Sequence, residues 1–199
     1  ALTENIVYYR VAGLSRDTDN NTVIGNKVIA KISRKEVALP FMQAPPEEFV
    51  QSLLNKGKIT KLQAELARHI PMADDITVEA DSGGHTDNRP LVALLPIIIQ
   101  LRDEMHQQTA FVTKIRVGAA GGISTPASAL AAFMMGAAYV VTGSVNQACI
   151  EAGTSDHVRK LLQVVESTDV MGAPASDMFE MGVDLQVLKR GTLFGPRAK

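Results

Sequence analysis

His85 is the residue best placed to do acid–base chemistry. It closes the glycine pair in Asp81-Ser82-Gly83-Gly84-His85-Thr86-Asp87-Asn88-Arg89-Pro90, directly after the β-branched run 75–80. An imidazole at a strand exit can move a proton near neutral pH, or it can simply cap the turn against a backbone carbonyl. Two further glycine turns follow β-rich runs, Gly121-Gly122 and Gly143-Ser144. Glycines there let backbone N–H groups approach an anion closely, and the helix starts that follow add partial positive charge. The pair therefore reads as a phosphate cradle, with two ligand-free tight turns as the alternative. Lys31, leaving Val28–Ser33, could set a cation against an electron-rich ring or lie on the surface. Glu79 and Asp81 share a strand face by their i, i+2 spacing, which predicts a hydrogen-bonding network around His85. No HExxH or CxxC pattern occurs, so no metal site is expected. His69 and His106 are expected to face solvent, and His157 follows a helix cap. Cys149, the single cysteine, reads as a small buried residue on a helix.

These turns need a sheet that brings their strand ends together. Lys114 to Ser144 reads as strand, glycine turn, small-residue helix from about Pro126 to Met135, then a second strand and glycine turn. Such a βαβ unit has parallel strands. Runs near 6–12, 27–33, 75–80, 115–119 and 139–143 give five predicted strands separated by helices, the pattern of an α/β protein. Phosphate loops after the last two strands match a TIM-type (β/α)8 barrel. On that pattern the five are the last five βα units, and the first three strands are expected to be missing from this piece, unless the sheet is open. The expectation is thus a partial barrel domain over 1–199, with a helical insertion at 46–70 and a C-terminal extension at 169–199. The insertion reads as a surface helical hairpin or as a lid or carrier-docking surface, with Thr60 as the N-cap of its second helix. Ser15 to Gly25 is a polar loop with room for a short hairpin, and 34–42 a short helix. Amphipathic helices are predicted for 90–105 and 155–165, the latter capped by Ser155 or Asp156, and another helix for 146–151. In the tail, Met178, Phe179, Met181, Val183 and Leu185 are expected to pack against the barrel.

The chain has 199 residues, 46% hydrophobic and 21% charged, with a formal net charge of −1. That balance gives no reason to expect a nucleic-acid or membrane partner. The longest apolar run, Leu91 to Ile99, contains a proline and is too short to span a bilayer. One cysteine excludes an internal disulfide and suits a reducing compartment, so a cytoplasmic location is expected.

Taken together, VIAKIS, ADSGGHTDNRP, VGAAGGI and VVTGS resemble the flavin-dependent nitronate monooxygenase superfamily. The longer blocks PMADDITVEADSGGHTDNRPLVALLP, GAAGGISTPASALAAFMMGAAYVVTGSVNQACIEAG and DMFEMGVDLQVLKRGTLF resemble the PfaD family of trans-acting enoylreductases of polyunsaturated fatty acid and polyketide synthases. That resemblance implies a TIM barrel, FMN as cofactor, NADPH as hydride source, and an enoyl thioester on an acyl carrier protein as substrate. A homo-oligomer is compatible with it. It implies that Lys31 touches the flavin ring, that Gly83, Gly84 and His85 form the turn beside the ring, that Ala120, Gly121 and Gly122 make the first phosphate loop, and that Gly143 and Ser144 make the second. Ser144 stands where many relatives have Thr. Flavin contacts drawn from the family's first strands have no counterpart here. Two other readings remain at this stage: nitronate oxidation with His85 as base, and a flavin-free structural or carrier-docking piece.

Overall fold

A computed structural model describes residues 2–193, without the side chain of Phe179. Ala1 and the final stretch of the 169–199 extension, 194–199, lie outside the described residues. The chain divides into two compact units, one made of 1–77 and 96–118, the other of 78–95 and 119–199.

The first unit opens with helix α1 (Glu4–Ala12), where β-branched and aromatic residues predict a strand. Packing reverses that propensity. Val7, Arg10 and Val11 are all buried, a spacing of three and one that a helix presents on one side and an alternating strand does not. Thr3 caps it, its hydroxyl accepting from the Ile6 N–H at 3.4 Å. Strands β1 (Leu14–Arg16) and β2 (Thr22–Ile24) then form an antiparallel hairpin, followed by β3 (Ile29–Ile32) and α2 (Lys35–Met42). Helices α3 (Glu47–Asn55) and α4 (Lys61–Ala67) fill the predicted insertion. Thr60 does cap α4, in a reciprocal capping box with Gln63. The pair packs into the core of the first unit. Val50, Leu53, Ile59, Leu66 and Ile70 share one buried cluster with Val7, Val11, Leu14 and Ile24.

Arg10 is fully buried beneath that cluster. Its guanidinium donates to Pro71 O at 2.9 and 3.2 Å, to Asn26 O at 2.9 Å and to the Asp74 carboxylate at 2.5 Å. Asp74 also accepts from Lys27 and from the Val28 N–H. Burial pushes this carboxyl up, but the bonds from Arg10, Val28 and Lys27 outweigh it and hold it below the usual carboxylate value. His106, expected in solvent, is half-buried because its Nε2 accepts from the Ile115 N–H at 3.1 Å. Burial, reinforced by Arg102 and Lys114, lowers its pKa from 6.5.

Strands β4 (Asp75–Glu79), β6 (Arg116–Ala120) and β7 (Val140–Val141) join β3 in a four-stranded sheet of order β3-β4-β6-β7. The run 6–12 therefore contributes a helix, and the sheet holds four of the five predicted strands. Helices α5 (Leu91–Gln108, with Pro96 inside) and α6 (Pro126–Met134) lie between them in sequence. In the second unit, α7 (Ser144–Gln147) is a single short turn, ending before the predicted 146–151 helix would. Cys149 lies past its end and is exposed, which overturns the buried expectation. Helix α8 (Asp156–Leu162) begins at the predicted Ser155 cap.

The tail differs most from its expectation. Strands β8 (Val170–Pro174) and β9 (Asp184–Leu188) form an antiparallel hairpin, to which β5 (Gly84–His85) adds a third strand. Met178 and Met181 are exposed instead of packed inward, because the chain between the two strands is a surface turn. No helix among the described residues is long and apolar enough to cross a membrane.

Candidate functional site

The second unit contains the exits of β4, β6 and β7. Strands β6 and β7 run parallel, with Ala119 facing Val140 and Ala120 facing Val141. Strand β4 runs the same way as β6, since Arg116 N donates to Asp74 O at one end and Ala80 N to Ala120 O at the other. The turns after these strands therefore leave from one end of the sheet, and Gly83, Gly84, His85, Ala120, Gly121, Gly122, Gly143 and Ser144 all belong to the second unit.

Gly121 has φ +98° and Gly122 φ +66°, the left-handed region that favours glycine. A Cβ on Gly121 would lie 2.6 Å from Ala80 O and 2.9 Å from Asp81 O, so the first turn is wedged against the β4 exit. Across that exit, a Cβ on Gly83 would meet the Ser144 hydroxyl at 3.0 Å. Residues 83 and 144 thus nearly touch. The outer side is open: Gly122 and Gly143 are exposed, and a Cβ on Gly143 would have nothing within 4 Å. The Ser82 hydroxyl, one residue before Gly83, is buried without a hydrogen-bond partner. Helix α6 starts four residues past Gly122, with Thr125 and Ser128 in a capping box and Pro126 at its first position.

The turn carrying His85 is held by a network. Asp81 N donates to Arg89 O at 2.9 Å and closes the loop. Asp81 Oδ1 accepts from Thr86 Oγ1 at 3.0 Å and from Gln186 Nε2 at 2.7 Å. Thr86 N donates to Asp184 O at 3.3 Å. His85 Nε2 lies 3.1 Å from Asp177 Oδ1, with 44% of the His85 side chain and 60% of the Asp177 side chain exposed. Asp81 thus bonds Thr86 and Gln186, while the partner of His85 is Asp177 of the tail and not Glu79 or Asp81. Glu79 is half-buried and Asp81 exposed. Asp177 and Gln186 have no sequence signal as site residues, since pairing across about a hundred positions leaves no local pattern.

Lys31 is an exposed residue of β3 in the first unit. His69 is exposed, as predicted, and so is His157. No group of three or more His, Cys, Asp or Glu residues able to hold a metal occurs among the described residues.

A cofactor phosphate suits this arrangement in two respects. The Gly121-Gly122 turn is built so tightly on one side that only glycine fits, while its other side is open for a ligand. The loop whose Asp81 carbonyl Gly121 abuts also holds a buried hydroxyl without a partner, that of Ser82.

No family model matches the chain. It is 56% identical over 199 residues to a polyunsaturated fatty acid synthase polypeptide of Thraustochytrium sp. (strain ATCC 26185 / S-3), covering 99% of this chain and 10% of that protein. It is 52% identical over 198 residues to "Polyketide biosynthesis protein PksE" of Bacillus subtilis (strain 168), covering 100% of this chain and 26% of that one. The chain thus spans about a quarter or less of the length of these curated relatives. Among solved structures it superposes on the enoyl reductase domain of MlnA from the macrolactin biosynthesis cluster of Bacillus amyloliquefaciens, with a TM-score of 0.93 and 43% identity, over 100% of this chain and 44% of that one. FabK from Thermotoga maritima, at 20% identity, has a TM-score of 0.53 over 87% of this chain and 41% of its own, and shows a shared fold alone. The chain is an α/β protein similar to segments of polyunsaturated fatty acid and polyketide synthase proteins and to part of an enoyl reductase domain.

Proposed function

We propose that this chain is part of an FMN-dependent, NADPH-using enoyl reductase of the TIM-barrel, PfaD-like type, acting in trans on enoyl thioesters carried by an acyl carrier protein in polyketide or polyunsaturated fatty acid synthesis. In this reading residues 1–199 belong to one FMN-binding barrel domain, with 46–70 inserted and 169–199 an extension. The observation that carries it is the pair of glycine turns at one end of the sheet, one wedged on Ala80 and Asp81 and the other touching Gly83 through Ser144.

When bound, FMN supplies the hydride for the β-carbon of the enoyl thioester. The protein's own share is placement and proton transfer. Ala120, Gly121, Gly122, Gly143 and Ser144 hold the phosphate through backbone N–H groups and the Ser144 hydroxyl. Gly83 and Gly84, lacking side chains, let the ring approach the turn. Lys31 supplies a cation that offsets negative charge on the ring. His85 gives the proton that the α-carbon must receive.

The test is an absorbance scan of the purified full-length protein for bound flavin, followed by NADPH-dependent reduction of a crotonyl thioester. Both are expected. A colourless protein that leaves the thioester untouched would refute the reading. Gly122→Asp separates cradle from fold, because Asp81 O lies an ordinary 3.7 Å from the new Cβ and aspartate is among the residues that tolerate the left-handed φ of +66°. Its carboxylate should repel the phosphate and leave a folded, colourless protein. A variant that stays yellow places the phosphate elsewhere.

A further inference from the structure

We propose that Asp177 is the positioning residue for His85, fixing the imidazole so that Nδ1 is the nitrogen that delivers the proton. The inference rests on the enoyl reductase reading above and assigns the tail hairpin a part in it. Asp177 Oδ1 is 3.1 Å from His85 Nε2. Asp81 turns elsewhere, its Oδ1 accepting from Thr86 and Gln186.

Both members of the pair are held by their backbones. His85 sits opposite Leu185 and Gly84 opposite Gln186 in the β5–β9 ladder. On the other side, Ala175 is fully buried, and its N–H donates to Val183 O at 2.9 Å. Met178 N returns to Ala175 O at 3.2 Å, which makes Asp177 the third residue of a closed turn. The ring is thus carried on β5 and the carboxylate in the turn that follows β8 of the same antiparallel sheet.

The proton inventory follows from this contact. The imidazolium carries a proton on each nitrogen, and the one on Nε2 is donated to Asp177. The Nδ1 proton passes to the substrate α-carbon, whose electron pair forms the new C–H bond. The ring is left neutral as the Nε2–H tautomer, still held by Asp177. With 44% of its side chain exposed, His85 can take its next proton from water. An exposed pair contributes little to stability, so Asp177 acts through orientation and its removal leaves the fold standing.

The experiment compares Asp177→Ala, Asp177→Glu, His85→Ala and the His85→Ala/Asp177→Ala double variant in the full-length protein. With histidine-selective isotope labelling, the His85 signal is identified by its loss in His85→Ala. Its side-chain couplings should report one χ1 rotamer in the parent, rotamer averaging in Asp177→Ala, and one rotamer again in Asp177→Glu. The Thr86 amide, which reports the β5–β9 ladder, should not move. In turnover, Asp177→Ala should lower kcat about 10-fold with KM changed less than about twofold, and add no loss when His85 is already alanine. Unchanged His85 couplings in Asp177→Ala, or an equal kcat loss in the His85→Ala background, would overturn the proposal. If His85→Ala keeps full turnover, the donor role falls, and the couplings still decide whether Asp177 orients the ring.

Discussion

At the scale of single residues, the chemistry depends on a few side chains and on the lack of others. Gly121 is irreplaceable on steric grounds alone, since any Cβ would press on two carbonyl oxygens of the β4 exit. His85 is different, being exposed and only lightly bonded, so its removal should spare the fold. His85→Ala is expected to slow crotonyl thioester reduction by roughly 10²–10⁴-fold, the range for a lost general acid, while the flavin absorbance is retained. Steady-state turnover together with the absorbance spectrum measures both, and unchanged turnover would pass the proton to water.

At the scale of elements, each turn is presented by the piece of secondary structure behind or beside it. The Thr125–Ser128 capping box satisfies N–H groups at the start of α6 and fixes where the Gly121-Gly122 turn must end. Thr125→Ala should cost about 1 kcal/mol, the usual value of an N-cap, and Thr125→Asp should restore most of it. Denaturant titration of the full-length protein reads the difference; no loss in Thr125→Ala would mean that α6 is fixed by packing alone. The helix can be read directly from the sequence because Thr-Pro-Ala-Ser joins an N-cap, a first-turn proline and a reciprocal partner within four residues. The β5–β9–β8 sheet cannot, because its register joins positions 84–85 to 185–186 and its hydrogen bonds are made only once the chain has folded.

At the scale of the whole molecule, the first unit carries the larger buried polar commitments. Arg10 is fully buried and bonds Asp74 and two backbone carbonyl oxygens. Arg10→Met would strip the Pro71 and Asn26 carbonyls of the guanidinium and leave the Asp74 carboxylate with only Lys27 and the Val28 N–H, with an expected loss of about 3–5 kcal/mol in chemical unfolding. A loss under about 1 kcal/mol would mean that water replaces the guanidinium. Acid acts on the same unit through His106. Its folded pKa lies below its unfolded value of 6.5, so its contribution is complete above that pH and lost as pH falls through the folded pKa. The urea midpoint should therefore drop between pH 7 and about pH 5, and His106→Gln should flatten that drop; an equal slope in the variant would place the acid sensitivity elsewhere. Asp74, also depressed, adds a second loss of the same sign below its ordinary value of 3.8.

Short-range geometry was legible in the chain: the two glycine turns, the Thr60 cap, the cap at Ser155 or Asp156, and the bounds of β3, β4 and β6 to within a few residues. Those signals are steric and lie within a few positions of their effect. Folding alone put Ile6 to Ala12 in a helix, turned Cys149 and Met181 outward, half-buried His106, and brought Asp177 and Gln186 of the tail to the His85 turn. Burial and long-range pairing depend on which surfaces meet after collapse, and a linear pattern of propensities does not contain that choice.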